Sequence, residues 1–200
     1  MAIKFQYNKT YLQRLKKQLQ VREKALPTLK NKEAALRSEV KKAKEVAEEF
    51  DEKLEKKLKE YQHATELWDE FDNELVSIDD VELSIKKIAG VKTPILEDIV
   101  FSIKEFSIFN KPGWYLDGVN IVKELARIAI EREVYNQKMQ LLEHARKKTT
   151  QKVNLYEKVQ IPGFEEAILK IKRYLEDEEN LSKAAQKIVK NRLQEMEESA

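Results

Sequence analysis

The sequence predicts a mostly α-helical protein: a long antiparallel two-helix, left-handed coiled coil, closed at the turn by a small knob of β-hairpin and short helix. Three observations predict it. Of 200 residues, 38 are Lys or Arg and 36 are Asp or Glu, so charge is dense while the net is only +2. Gly and Pro number four each, which leaves few turn-makers for a loop-rich fold. Apolar residues, 42% of the chain, recur at helical spacing in two long regions separated by a short segment of different chemistry.

The first helical region is read from a strict heptad between Leu12 and Ile78. One core position falls at Leu12, Leu19, Leu26, Glu33, Val40 and onward by sevens to Leu75. The other falls at Leu15, Arg22, Leu29, Leu36, Ala43, Phe50, Lys57 and onward to Ile78. Only Arg22, Glu33 and Lys57 break it, so 17 of 20 positions are apolar. A seven-residue repeat held this long imposes a left-handed supercoil on a partner helix, over about 100 Å at 1.5 Å per residue. We take residues 1–78 as this helix.

Residues 79–119 form the knob. Asp79 or Asp80 is placed to cap a short helix ending at Gly90. Ile99, Phe101 and Ile103 then alternate with polar and apolar neighbours, and Phe106 and Ile108 resume one residue out of phase. The turn signal Asn110-Lys111-Pro112-Gly113 follows, before Trp114 and Tyr115. This pattern predicts a β-hairpin with a bulge or a tight turn near Lys104 and Glu105. Phe71, Phe101, Phe106, Phe109, Trp114 and Tyr115 concentrate aromatic mass there.

Residues 120–200 form the return helix, with Ile121, Leu125, Ile128, Tyr135, Met139 and Leu142 at heptad spacing and breaks at Arg132, Arg146 and Thr149. Past Pro162 the stripe resumes in a shifted phase at Phe164, Ile168, Ile171 and Leu175. Folding at the hairpin pairs residues whose numbers sum to about 198, which sets Leu15 near Lys183 and Phe50 near Lys148. Pro27 and Pro162 each interrupt a helix at roughly 3 kcal/mol. They are candidate bend residues.

Charge is segregated. Residues 1–32 carry nine bases and one acid, whereas residues 60–80 carry eight acids and no base. Fields of opposite sign suit two different partners. The chain has no Cys, which excludes disulfides and thiolate chemistry, and its longest uncharged run is six residues, Val159 to Phe164. The expectation is a soluble intracellular protein, with near-zero net charge arguing against general nucleic-acid binding. Four glycines at 90, 113, 118 and 163 build no phosphate loop. His63 and His144 fall near one level of the folded-back chain, but histidines on charged helices are common, and we assign no metal site. No carboxylate pattern marks a general acid or base. We expect no catalytic residue and no cofactor.

Arg14-Leu15-Lys16-Lys17-Gln18-Leu19 and Leu29-Lys30-Asn31-Lys32 resemble the opening helix of the D subunit of V-type and archaeal-type ATPases. So do Ile88-Ala89-Gly90-Val91-Lys92-Thr93-Pro94, Lys152-Val153-Asn154-Leu155, Ile161-Pro162, and the run from Ile168 to Glu179. Pro27-Thr28-Leu29-Lys30 is similar to the divergent bacterial branch found in chlamydiae. Gln151-Lys152 departs from the two arginines of the family pattern, and Gly163 after the proline is a second departure.

The resemblance implies a non-catalytic central-stalk rotor that carries torque between a nucleotide-hydrolysing head of A and B subunits and an ion-translocating membrane ring. It implies the small F subunit and a ring socket subunit as further partners, and a cytoplasmic position peripheral to the cell membrane. Head-contact candidates are Arg14, Lys16, Lys17, Lys147 and Lys148. Lower-stalk candidates are Asp69, Glu70, Asp72, Phe101, Phe106 and Trp114. A prefoldin-like chaperone subunit and an export-apparatus stalk protein share the two-helix plan and are the competing readings.

Overall fold

Asn8 starts the first helix: its Oδ1 accepts the backbone N–H of Tyr11 at 2.6 Å, satisfying a donor that the first turn would leave unpaired. The computed structural model describes residues 4–61, 71–72, 74–106 and 111–198. In it α1 spans Lys9–Tyr61, β1 Val76–Ile88, β2 Val91–Ile103, α2 Tyr115–Leu155 and α3 Ile161–Glu198, with a π-helical turn at Tyr156–Gln160 between the last two. The chain divides into two compact units, residues 1–31 with 149–200, and residues 32–148.

In the first unit, Leu12 and Leu15 of α1 pack against Phe164, Ala167, Ile168 and Ile171 of α3. Burying each large aliphatic side chain stabilises by roughly 1.5–3 kcal/mol. The residues before α1 fold back onto this core. Phe5 packs on it, the Tyr7 ring lies 4.7 Å from that of Tyr174, and Tyr11 Oη donates to the Lys4 carbonyl at 2.9 Å. The shifted phase past Pro162 has a local cause. Sevens counted from buried Leu142 and Thr149 reach positions 163 and 170, but the buried residues are Phe164 and Ile171, one further on. The π-turn supplies that extra residue, with Ile161 N–H bonded to the Tyr156 carbonyl five residues back.

In the second unit, Leu36, Ala43 and Ala47 of α1 and Ile128, Val134 and Leu142 of α2 are buried, and the Phe50 and Tyr135 rings approach to 5.6 Å. The two strands form an antiparallel hairpin closed at Ile88 and Val91. Its two turn residues, Ala89 (φ 49°) and Gly90 (φ 81°), both have positive φ, as a type I′ turn requires. The hairpin base is tied by Lys104 N–H to the Leu75 carbonyl. It sits on a cluster of Phe71, Leu75, Tyr115 and Val119. The tip packs Ile88, Ala89 and Val91 on Leu36, Ala43 and Leu142. That contact is about 30 Å back along α1 from Tyr61. The hairpin therefore lies along the helices and does not cap their end.

Several expectations are corrected. The short helix from Asp79 or Asp80 to Gly90 is strand β1. Val81, Ile85 and Ile88 stand at helix-like spacing without forming one buried stripe, since Ile85 is exposed while Val81 and Ile88 are half-buried. β-branched Val and Ile favour the strand. The hairpin turn is Ala89-Gly90 and not Asn110 to Gly113, whose last two residues lie just before α2. The bulges lie in the paired strands, between Ile78 and Asp80 and between Glu82 and Leu83, and not at Lys104 and Glu105. The helix pairing is also displaced by about two heptads. Leu15 meets Ile168 and Arg132 meets Asp51, so paired numbers sum to about 183. The true centre of folding is the Gly90 turn, whereas the sequence reading centred it further along the chain. The heptad positions Phe71, Leu75 and Ile78, read as helix, belong to the hairpin and its base. Return helix α2 begins at Tyr115, before the expected Asn120.

Gly90→Ala forces a Cβ into the left-handed region and is expected to destabilise the protein by about 1–2 kcal/mol. Gly113→Ala, where an added Cβ meets nothing within 4 Å, serves as the control. Denaturant midpoints of the two variants check this.

Candidate functional site

The three residues that break the α1 heptad are where the chemistry of the helix seam concentrates. Arg22 Nε donates to Gln160 Oε1 at 2.6 Å, and its Nη1 donates to the Gln18 carbonyl at 3.0 Å. The guanidinium lies 4.6 Å from the Phe164 ring centroid and 5.8 Å from that of Tyr156. Gln160 and Tyr156 belong to the π-turn, so the widened turn presents a polar partner and an aromatic face to the seam arginine. Beside it Lys30 Nζ is 2.7 Å from Glu157 Oε1.

Lys57, the second break, reaches Glu124 of α2 at 3.4 Å. Hydrogen bonding to Glu124, followed by that carboxylate's charge, holds the Lys57 pKa above its ordinary value. Glu33, the third, pairs with Arg37 at 2.8 Å and contributes to the field around Arg146. The return-helix breaks are answered in the same way. Arg146 Nε and Nη2 bond both carboxylate oxygens of Glu143 at 2.7 and 2.6 Å. Arg132 Nε lies 2.9 Å from Asp51 Oδ1, an ion pair whose N–H is not aimed well enough to be a hydrogen bond. Such partly exposed pairs add only about 0–1 kcal/mol each. Lys57–Glu124 and Arg132–Asp51, which cross between helices, also act on register, since sliding the helices strands each charge against an apolar position; the pairs within one helix move with it.

The sequence-derived contact residues fall into distinct settings. Arg14, Lys16 and Lys17 project from the exposed side of α1 next to buried Leu15, with Arg14 positioned 6.0 Å from the Tyr11 ring. Lys147 and Lys148 are exposed on α2 in the other unit, Lys147 being 3.8 Å from Glu143. Asp72 is exposed at the hairpin base, its N–H donating to Tyr115 Oη at 2.9 Å. Phe106 and Trp114 are half-buried against the cluster around Tyr115, their rings 5.7 and 5.4 Å from it. Phe101 is half-buried in β2 with Lys123 Nζ 5.7 Å from its ring. Asp69 and Glu70 lie outside the described residues. Pro27 is exposed within α1, which continues through it. Pro162 is the second residue of α3, directly after the π-turn.

Sequence reasoning missed Tyr115 as the organiser of the hairpin base. Its side chain is 2% exposed. The hydroxyl takes hydrogen bonds from Asp72 N–H and, at 3.2 Å, from Lys111 Nζ. It also missed Gly118, where a Cβ would sit 3.0 Å from the Phe71 ring. The concentration of aromatics was the available signal for both. Among the described residues no group of three or more His, Asp or Glu is arranged to hold a metal ion. No described helix is long and apolar enough to cross a membrane. The organised feature among the described residues is a pairing of helices, matched in charge along its seam, with a hairpin laid on it.

Comparison with known proteins identifies the assembly. A family model described as the D subunit of ATP synthase matches residues 11–191. The V-type ATP synthase D subunit of Chlamydia muridarum is 31% identical over 179 residues, covering 86% of this chain and 88% of that one. The D subunit of Chlamydia trachomatis serovar L2 is 29% identical over 178 residues with the same coverage. That of Borreliella burgdorferi is 34% identical over 116 residues, 56% of this chain and 57% of its own. The chain belongs to the ATP synthase D-subunit family: it is a non-catalytic stalk subunit of a V-type ATPase, part of a membrane-associated complex.

One pH dependence follows from the seam. Hydrogen bonding to Arg146 holds Glu143 below the ordinary carboxylate pKa, against the opposing effect of partial burial. A carboxylate pKa depressed by folding contributes stability that is complete above the unfolded value and is lost as pH falls through the folded one. Glu143→Gln is expected to be less stable than the parent at neutral pH and to converge with it on acidification. Denaturant melts at neutral and acidic pH check the convergence.

Proposed function

We propose that this subunit is the central rotor shaft, transmitting torque between the A/B head that turns over nucleotide and the ion-translocating membrane ring. The observation that carries the reading is the matched seam. Helices that cannot slide without separating Arg22 from Gln160 and Lys57 from Glu124 keep their phase under load. A shaft needs that property and needs no catalytic group of its own.

The exposed bases Arg14, Lys16 and Lys17, with Lys147 and Lys148, are the candidate head contacts. Asp69, Glu70, Asp72 and the hairpin aromatics are the candidate contacts for the small F subunit and the ring socket. Domains 1–78, 79–119 and 120–200 then serve as first shaft helix, knob and second shaft helix. Pro27 and Pro162 act as bend residues that make the shaft asymmetric. The protein works on the cytoplasmic side, peripheral to the cell membrane. A tagged pull-down from native membranes in mild detergent tests the reading. One copy of this chain per three A/B pairs, with a small stalk partner, is the expected result; recovery without nucleotide-binding subunits contradicts it.

Two variant sets divide the roles. Arg14→Glu, Lys16→Glu and Lys17→Glu together are expected to weaken association with the head and to spare binding of the small stalk partner, read by co-purification. Pro27→Ala with Pro162→Ala is expected to stabilise the isolated chain, by up to roughly 3 kcal/mol per proline, while lowering ATP-driven ion transport by the reconstituted complex. Full transport activity in that double variant would remove the bend from the account.

A further inference from the structure

Helix α3 runs on past the start of the helix it packs against. Phe164, Ile168 and Ile171 are buried on α1, and Leu175 is the last residue to pack on that core. Continued in the same alternation of three and four, the seam reaches Glu178, Ser182, Ala185, Val189, Arg192 and Met196, over about 30 Å of helix. Every residue from 176 to 196 is exposed. Val189 is 57% exposed and Met196 70%, and Leu181 and Ile188, one position to the side, are as open. Helices of this length are marginal alone in water and owe their stability to packing of an apolar face, and this face is uncovered. Where α1 begins, the step between the two helices leaves a groove of about 680 Å³, whose walls include Tyr7, Lys9, Leu12 and Leu175.

The charges on this stretch of seam are self-complementary. Glu178 and Arg192 stand seven residues to either side of Ala185, the smallest side chain on it. Among the described residues neither takes part in an ion pair, whereas Glu179, off the seam, is held by Lys183 at 2.8 Å. We infer that the end of α3 is a docking surface for the same segment of a second copy of this chain, paired antiparallel about a two-fold axis at Ala185. That alignment sets Glu178 of each copy level with Arg192 of the other, Ser182 level with Val189, and Met196 level with Leu175 beside the groove. Met, flexible and apolar, suits an irregular gap of this kind. A parallel pairing sets Glu178 beside Glu178 and Arg192 beside Arg192, which repels at both levels. Because one patch serves both copies, the interface closes at two chains. The pairing is a state of the unassembled chain, since the proposed complex holds a single copy, and it does not depend on the stalk reading.

Sedimentation velocity of the purified full chain at rising concentration reads the pairing, and a dimer is expected. Glu178→Arg and Arg192→Glu, each alone, set like charges together at both ends and are expected to weaken the dimer by about tenfold or more. Mixing the two single variants, or combining both changes in one chain, restores opposite charges and is expected to restore the dimer. As the chain has no native Cys, Ala185→Cys is expected to link two copies rapidly on oxidation, and Lys183→Cys, on the far side of the helix, far more slowly. A dimer indifferent to the single reversals, or one that the mixture does not restore, overturns the inference. A chain that stays monomeric also overturns it, and protection of Ala185→Cys from maleimide only in the complex purified by the pull-down above then assigns the face to another component of the ATPase.

Discussion

A charged side chain in the seam of two paired helices is tolerated only where the facing surface carries its counterpart, and that constraint organises this protein. Arg22 meets Gln160 and Lys57 meets Glu124, while Arg132 is drawn to Asp51. Each pair is weak by itself, because its members are partly solvated. Collectively they make one alignment of the helices much better than its neighbours a heptad away, a choice that a uniform leucine seam leaves open. The apolar layers between them, with Leu15, Leu36, Leu142 and Ile171 almost fully buried, supply the stability that this alignment directs.

The π-turn and the hairpin both follow from the same alignment. An extra residue in the return helix would rotate everything beyond it out of the seam. Closing it into a π-turn returns Phe164 and Ile171 to the core and places Gln160 and Tyr156 against Arg22. Pro162 comes directly after, where a widened turn relieves the crowding of its ring against the carbonyl of Lys158. The hairpin is fixed at both ends, on Tyr115 at its base and on Leu36 and Leu142 at its tip. The arrangement gives the hairpin a defined orientation on the helices.

Much of this was legible in the residues. The heptads identified both helices, the phase change at Pro162 marked the π-turn, and Arg22, Glu33 and Lys57 stood out as breaks. Ile99, Phe101 and Ile103 alternated as the strand they form. The first strand was hidden because Val81, Ile85 and Ile88 fall at helix-like spacing, although Ile85 is exposed and the other two are half-buried. Once that strand was read as a helix, Gly90 looked like its end and the centre of folding moved towards Asn110, which displaced the whole pairing. Candidate contact residues were legible only as chemical types. The bases Arg14, Lys16 and Lys17 are exposed as a contact surface needs, but Phe106 and Trp114 are drawn into packing around Tyr115. Exposure is decided by tertiary folding, and periodicity does not encode it.

Cross-linking of paired cysteines tests the alignment most directly. Phe50→Cys with Tyr135→Cys, at positions whose rings stand 5.6 Å apart, is predicted to form a rapid cross-link with a short bis-thiol reagent in a folded chain. Phe50→Cys with Lys148→Cys, the pairing expected when the chain is folded further along than Gly90, is predicted to give none. A cross-link from the second pair and not the first would contradict the register, and with it the matched seam on which the proposed shaft role rests.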